Sequence, residues 1–356
     1  MAGLIFEFIV LDDVSASSTT STAAAATRCY SPPSALLNLE EQPAIMDINI
    51  VPVFSSHIKA KFSKTKTVYA TSYPVRGVAM LFFNIQFSDK SFPTRTGAEY
   101  DLKNLSTLFH KLNYNVKVFR DMTRDEVIRE LDEQRRNAQH REFGSFILGF
   151  STHWANVSKA IAFSDGKTLY IDYICQYFDS SNCPYLAGKP KFMFFDASFG
   201  AAKDRAVPVS KVGAPPKIFE PVKKQLANIT FSLANINFGV ESLTNIPKHH
   251  LVPSNIANSR TGNTSVVANK SDFIIAMSTF DGYVSWRRNS HGCWFSRIMA
   301  EVFQKHSCDS HLVELLKLVR RKLSYVQTKG GYKQVNMTID TSLKDFYFFP
   351  GIHEST

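Results

Sequence analysis

Hydrophobic and polar positions alternate in blocks along this chain, and the period changes from block to block. Residues 78–87 form a continuous apolar run of strand type, whereas residues 97–112 place Leu102, Leu105, Leu108, Phe109 and Leu112 at helical spacing. Residues 115–119 predict a short strand. Thr123 followed three positions later by Glu126 makes a capping-box pattern ahead of Val127, Ile128 and Leu131, so a helix is predicted to begin there. Residues 144–150 and 191–197 predict buried strands, with a helical stretch near 170–178 between them. Further on, 273–278 and 333–339 predict strands, and 294–305 and 311–323 predict helices. Strands alternating with helices in this way imply an α/β fold, a sheet covered by helices on both faces.

Two stretches break the pattern. Residues 15–28 are Ser, Thr and Ala closed by one arginine, too little apolar surface to offset the entropy of ordering them. A disordered leader over 1–66 is therefore expected. Residues 206–269 are rich in Pro, Lys, Asn and Ser, with Pro208, Pro215, Pro216, Pro221, Pro247 and Pro253 as punctuation; at this length the segment is expected to be a flexible linker. The two folded regions then span 67–205 and 270–351.

Composition narrows the class. The chain has 356 residues, 44% hydrophobic and 13% aromatic, which is globular. No segment suggests a spanning helix. The apolar opening at 1–14 is interrupted by Glu7 and preceded by no basic residue, so neither a secretory signal nor a membrane partner is expected. Five cysteines, Cys29, Cys175, Cys183, Cys293 and Cys308, form no CxxC pair and are odd in number, which argues for reduced thiols in the cytoplasm and against a disulfide framework or a bound metal. No cofactor is expected. The net charge of +10 is spread over helical stretches and the linker, so a solvated basic surface is expected rather than a nucleic-acid site.

The chemistry gathers at the end of the predicted strand 191–197. There the sequence reads Asp196-Ala197-Ser198-Phe199-Gly200, and it resembles the caspase nucleophile signature Gln-Ala-Cys-(Arg/Gln/Gly)-Gly with the cysteine replaced. Other segments carry the same resemblance: 93–105, running from Pro93 through Arg95, Gly97 and Asp101; 145–148 leading to His153; 183–191; 271–279; Gly282 to Arg287; and Gly292-Cys293-Trp294-Phe295. The chain thus resembles the caspase family from about Val75 to Pro350. That resemblance implies a caspase-like three-layer α/β/α sandwich with a mostly parallel central sheet and large- and small-subunit regions. The leader is too short for a six-helix recruitment domain, which resembles the executioner layout.

By the same resemblance His153 stands where the catalytic histidine belongs, Ser198 replaces the nucleophile, and Trp154 replaces the glycine whose N–H holds the oxyanion. A serine hydroxyl is almost never ionised near neutral pH and needs an oriented base, whereas a cysteine is already partly thiolate. Tryptophan lacks glycine's backbone freedom and is bulky, so the oxyanion hole is expected to be distorted or filled. Arg95 and Arg287 match the two arginines that grip a substrate aspartate, while Asp196 replaces the companion glutamine. Asp196 is expected to ion-pair with one or both arginines and repel an incoming aspartate. Trp286 and Trp294 correspond to aromatic walls of neighbouring subsites, with packing as the alternative.

The function this implies is regulation without cleavage: a pseudocaspase that pairs with an active paralogous caspase, or with itself. Val335, Met337 and Ile339 are the interface candidates, because the strand carrying them corresponds to the one that meets its twin across the caspase dimer. Two alternatives stand beside it. One is a residual serine-dependent, or weak cysteine-type, endopeptidase; the other is a decoy that sequesters caspase inhibitors or substrates. Asp204 is the only aspartate between positions 197 and 271, so the linker offers one site for cleavage after aspartate.

Overall fold

A computed structural model describes residues 42–53, 66–71, 73–155, 159–207 and 267–352. Its central sheet is built on strands whose side chains are buried on both faces. Strand β1, Gly77–Phe83, is buried at all seven positions, as is β3, Ser145–Ser151. The sheet runs β12-β8-β6-β3-β1-β2, where β2 is Tyr114–Arg120, β6 Lys191–Asp196, β8 Phe273–Met277 and β12 Met337–Asp340. All neighbours are parallel except β12, which runs antiparallel to β8. Continuous apolar runs of this kind are what parallel strands covered on both sides require.

Alternation along each strand divides the sheet's side chains between two cores. Ala79, Leu81, Phe83, Ile147, Phe192, Phe194, Ile274 and Ala276 face one core, with helices α1 (Ala98–Lys111), α4 (Trp294–His306) and α5 (Leu312–Leu323). Their neighbours Val78, Met80, Phe82, Phe146, Leu148, Phe150, Met193 and Phe195 face the other, with α2 (Arg124–Arg135) and α3 (Ile171–Gln176). The result is a three-layer α/β/α sandwich. Phe82 ties three strands together, stacking on Phe119 at 4.5 Å and Phe150 at 4.8 Å. The capping box forms as the sequence implies: Thr123 Oγ1 accepts from the Glu126 N–H, and Glu126 accepts from the Thr123 N–H at 2.8 Å.

Two expectations are corrected. The leader was expected to be disordered through residue 66, yet residues 42–53 pack on the domain: Ile48 and Val53 are buried, Arg297 donates to the Pro43 carbonyl, and the Met46 N–H donates to Asn104. Ordinary apolar burial offsets the cost of ordering there. Residues 1–41 and 54–65, with Cys29, lie outside the described residues, as do 208–266 of the expected linker. The strand expected over 333–339 is two pieces, β11 (Tyr332–Lys333) and β12. Between them Gln334 leaves the ladder because its side chain accepts from the Trp286 N–H and donates to the carbonyl of Ser278 and the hydroxyl of Ser285. Of the interface candidates, Val335 and Ile339 are 38% and 40% exposed, while Met337 is half-buried against the second core.

Because β1, β3, β6 and β8 are parallel, their C-terminal ends open on one edge of the sheet. That edge is where α/β sheets place their ligands. Cys175, Cys183, Cys293 and Cys308 are free thiols. No described helix is long and apolar enough to cross a membrane.

Candidate functional site

Each strand end delivers one piece of the site. β3 ends at Ser151 and leads into Thr152 and His153; β6 ends at Asp196 and leads into Ser198; the chain after β1 turns back to present Arg95; and β9 (Arg287–Arg288), paired antiparallel with β10 (Gly292–Cys293), presents Arg287. Arg95, His153, Asp196, Ser198 and Arg287 line one cavity together with Ser285 and Cys293.

The loop after β6 is held close. The Phe199 N–H donates to the Tyr283 carbonyl at 3.0 Å, and the Gly282 N–H donates back to Phe199 at 2.8 Å. Gly200 is required at this crossing, since a Cβ there would lie 1.9 Å from the Gly282 carbonyl oxygen. Beyond it, β7 (Asp204–Arg205) pairs with β11.

Ser198 is half-buried, and its hydroxyl is spent on this crossing. Its Oγ accepts from the Ser285 N–H at 3.0 Å and lies 3.4 Å from the Ser285 carbonyl. His153 is turned elsewhere: its Nε2 is 2.7 Å from the Pro93 carbonyl, and its ring packs against Phe87 and Phe92. A carbonyl only accepts, so Nε2 carries the proton and Nδ1 is the basic nitrogen. Burial pushes the imidazole down to about 4; the Pro93 contact opposes this, and Arg95 and Arg287 add to it. A base that weak draws a proton poorly from a hydroxyl. Among the described residues His153 and Ser198 share no hydrogen bond.

The expectation for Trp154 is corrected in one respect. Its ring does not fill the cavity but packs on the second core, and its backbone bridges to Ile161. Its φ is not positive, so it stays outside the conformations that glycine alone reaches readily.

Asp196 also departs from expectation. Its carboxylate hydrogen-bonds the Ser285 hydroxyl at 3.4 Å and the Ser296 hydroxyl, and no guanidinium donates to it among the described residues. Arg95 instead donates to the Asn84 carbonyl, the Ser151 hydroxyl and Cys293 Sγ, at 3.2, 3.0 and 3.6 Å. The physical reason is that α4 brings the Ser296 hydroxyl directly onto the carboxylate, while the Arg95 guanidinium is directed to Asn84, Ser151 and Cys293. The Arg287 side chain makes no hydrogen bond among the described residues; burial and the nearby Arg95 lower its pKa.

Trp294 is 3% exposed and part of the first core, so it is packing and not a groove wall. Trp286 is half-buried and stacks on Tyr332 at 5.8 Å, with Nε1 donating to the Lys333 carbonyl. It remains available as a wall.

Asp101, Ser285, Ser296, Cys293 and Gln334 escaped the sequence reading. Asp101 is fully buried, its carboxylate accepts from the Cys293 N–H at 2.9 Å, and burial followed by the Asp196 charge holds its pKa well above the usual range. Gly292 makes this possible: its φ is 80°, and a Cβ there would lie 2.3 Å from Asp101. Asp101, Asp196 and Cys293 bring ligand-type atoms within 4.8 Å of one another. Their charge, however, already faces Arg95 and Arg287, and burial with the two carboxylates raises the Cys293 thiol far above reactivity. Asp101, Cys293 and Ser285 lay within or beside the caspase-like segments, but nothing local marked them. Ser296 had no signal.

Comparison with known proteins fits this geometry. A family model described as the caspase domain matches residues 76–347. Caspase-2 of Gallus gallus is 26% identical over 289 residues, covering 78% of this chain and 59% of that protein. Cell death protein 3 of Caenorhabditis remanei is 28% identical over 312 residues, 85% of this chain and 56% of that one. The chain thus spans less than two thirds of the length of these relatives. The crystal structure of caspase-1 from Spodoptera frugiperda superposes with a TM-score of 0.62 at 21% identity, over 85% of this chain and 99% of that one.

Proposed function

The chain belongs to the caspase family, and from that premise we propose that it is a catalytically inactive member which regulates an active paralogous caspase by pairing with it in the cytoplasm. One observation carries the inactive part: the hydroxyl at the nucleophile position bonds the backbone of Ser285, while the histidine donates to Pro93 and is a weak base. Nucleophilic catalysis needs those two groups aimed at each other.

The pairing part rests on the sheet edge. Among the described residues β12 has a neighbour on one side only, and it carries the exposed Ile339, with the exposed Val335 just ahead of it. An edge strand with apolar side chains seeks a partner strand, and a homologous caspase offers the same edge by two-fold symmetry. The test is turnover of aspartyl peptides by the purified chain. No product is expected from the unmutated protein, from Ser198→Ala or from Ser198→Cys; turnover abolished by Ser198→Ala would establish the serine-dependent peptidase instead.

A further inference from the structure

The cavity at the strand ends is lined by two arginines and one aspartate. It is small, about 90 Å³, so it takes one short side chain. Its two arginines are not equivalent. Arg95 is 3% exposed and already donates to three groups. Arg287 is half-buried, lines the cavity, and has donors to spare. Opposite in charge stands Asp196, 1% exposed yet reaching the cavity wall, with Oδ1 engaged among the described residues only by a 3.4 Å bond from Ser285. A carboxylate oxygen has more acceptor capacity than that. The cavity therefore offers one unspent donor and one underused acceptor.

We propose that this cavity binds a primary carboxamide, the side chain of asparagine or glutamine in an extended peptide, with its oxygen on Arg287 and its amide nitrogen donating to Asp196. A carboxylate has no donor for Asp196 and adds negative charge beside it. An ammonium or guanidinium meets Arg287 and Arg95. An aliphatic side chain leaves both polar groups desolvated and unpaired. Unlike these three, a carboxamide supplies an acceptor and a donor on separate atoms without net charge. Burial and the Asp196 charge raise the pKa of the neighbouring Asp101, which favours its neutral form. The proposal rests on the inactive reading in one respect, that the peptide is held and not cut.

The test uses the full chain and four fluorescein-labelled tetrapeptides identical except for one residue: Asn, Gln, Asp or Arg. Anisotropy gives the affinity of each, and mass spectrometry of the same mixtures reports cleavage. Discrimination by unpaired polar groups is worth about tenfold or more. The Asn or the Gln peptide is expected to bind at least about tenfold more tightly than the Asp and Arg peptides, and comparison of the two sets the preferred side-chain length. Asp196→Gln is expected to shift preference to the Asp peptide, and Arg287→Ala to abolish carboxamide binding while keeping a cooperative thermal melt. If Asp196→Gln fails to fold, the order of affinities in the unmutated chain and the Arg287→Ala result decide. Equal or tighter binding of the Asp peptide, an unchanged order in a folded Asp196→Gln protein, or no binding by any peptide overturns the proposal. Cleavage of a bound carboxamide peptide would instead contradict the inactive reading and leave the pocket assignment standing.

Discussion

Position 198 shows how one atom alters what a residue is for. A hydroxyl that accepts from the Ser285 N–H at 3.0 Å stitches the loop after β6 to the segment before β9, so Ser198 acts here as a clamp. A net hydrogen bond is worth about 1 kcal/mol, so Ser198→Ala is expected to lower Tm by a few degrees, read by calorimetry, with no loss of any activity. An unchanged Tm would mean the clamp is idle. His140 offers a second residue-level test. It is fully buried, its Nδ1 has no partner among the described residues, and burial pulls its pKa down to about 4 from an unfolded value near 6.5. The unfolded chain therefore binds this proton first, and stability falls as pH drops from about 6.5 through about 4. Asp101, with its raised pKa, works in the opposite direction. The stability lost between pH 7.5 and pH 4.5 is expected to shrink in His140→Gln, and an unchanged loss would place the acid sensitivity elsewhere. At this scale the identities of the pocket residues were legible in the sequence, because Arg95, Asp196 and Arg287 sit in motif-like segments. Their pairing was not. Whether Asp196 meets a guanidinium or the Ser296 hydroxyl depends on where α4 docks, which no local pattern encodes.

The strands and helices themselves were largely legible, since burial on both faces writes a continuous apolar run and burial on one face writes a 3.6-residue period. The misreading at 333–339 has a specific cause. Val335, Met337 and Ile339 keep the period of two, but Gln334 is drawn out of the ladder by bonds to Ser278, Ser285 and Trp286. The division changes the choice of interface variants. A charge at Met337 would strike the core behind the sheet, whereas Val335 and Ile339 are exposed. Val335→Lys with Ile339→Lys is expected to leave the thermal melt nearly unchanged and to abolish association with an active caspase, measured by analytical ultracentrifugation. Undiminished association would move the interface off this edge.

At the scale of the whole molecule, the one aspartate between positions 197 and 271 is tied into the fold. Asp204 lies in β7, paired with β11 and only six residues beyond Ser198. A protease needs an extended, accessible segment, and local unfolding of this pairing would have to come first. The chain is therefore expected to stay intact with an active executioner caspase; efficient conversion to fragments of about 22 kDa and about 17 kDa, by length, would contradict this. The layered fold was legible from the alternation of strands and helices. The packing of residues 42–53 was not, although Met46, Ile48 and Ile50 meet the first core at a spacing of two, because that run is short and adjoins the low-complexity leader. The central claim is that regulation by pairing has replaced catalysis, and its most direct measurement is a titration of this chain into an active paralogous caspase, reading the partner's kcat. A saturable change in kcat is expected that is the same for the unmutated chain and for Ser198→Ala, and absent for Val335→Lys with Ile339→Lys. A partner rate that never changes, or a change that disappears with Ser198→Ala, would contradict it.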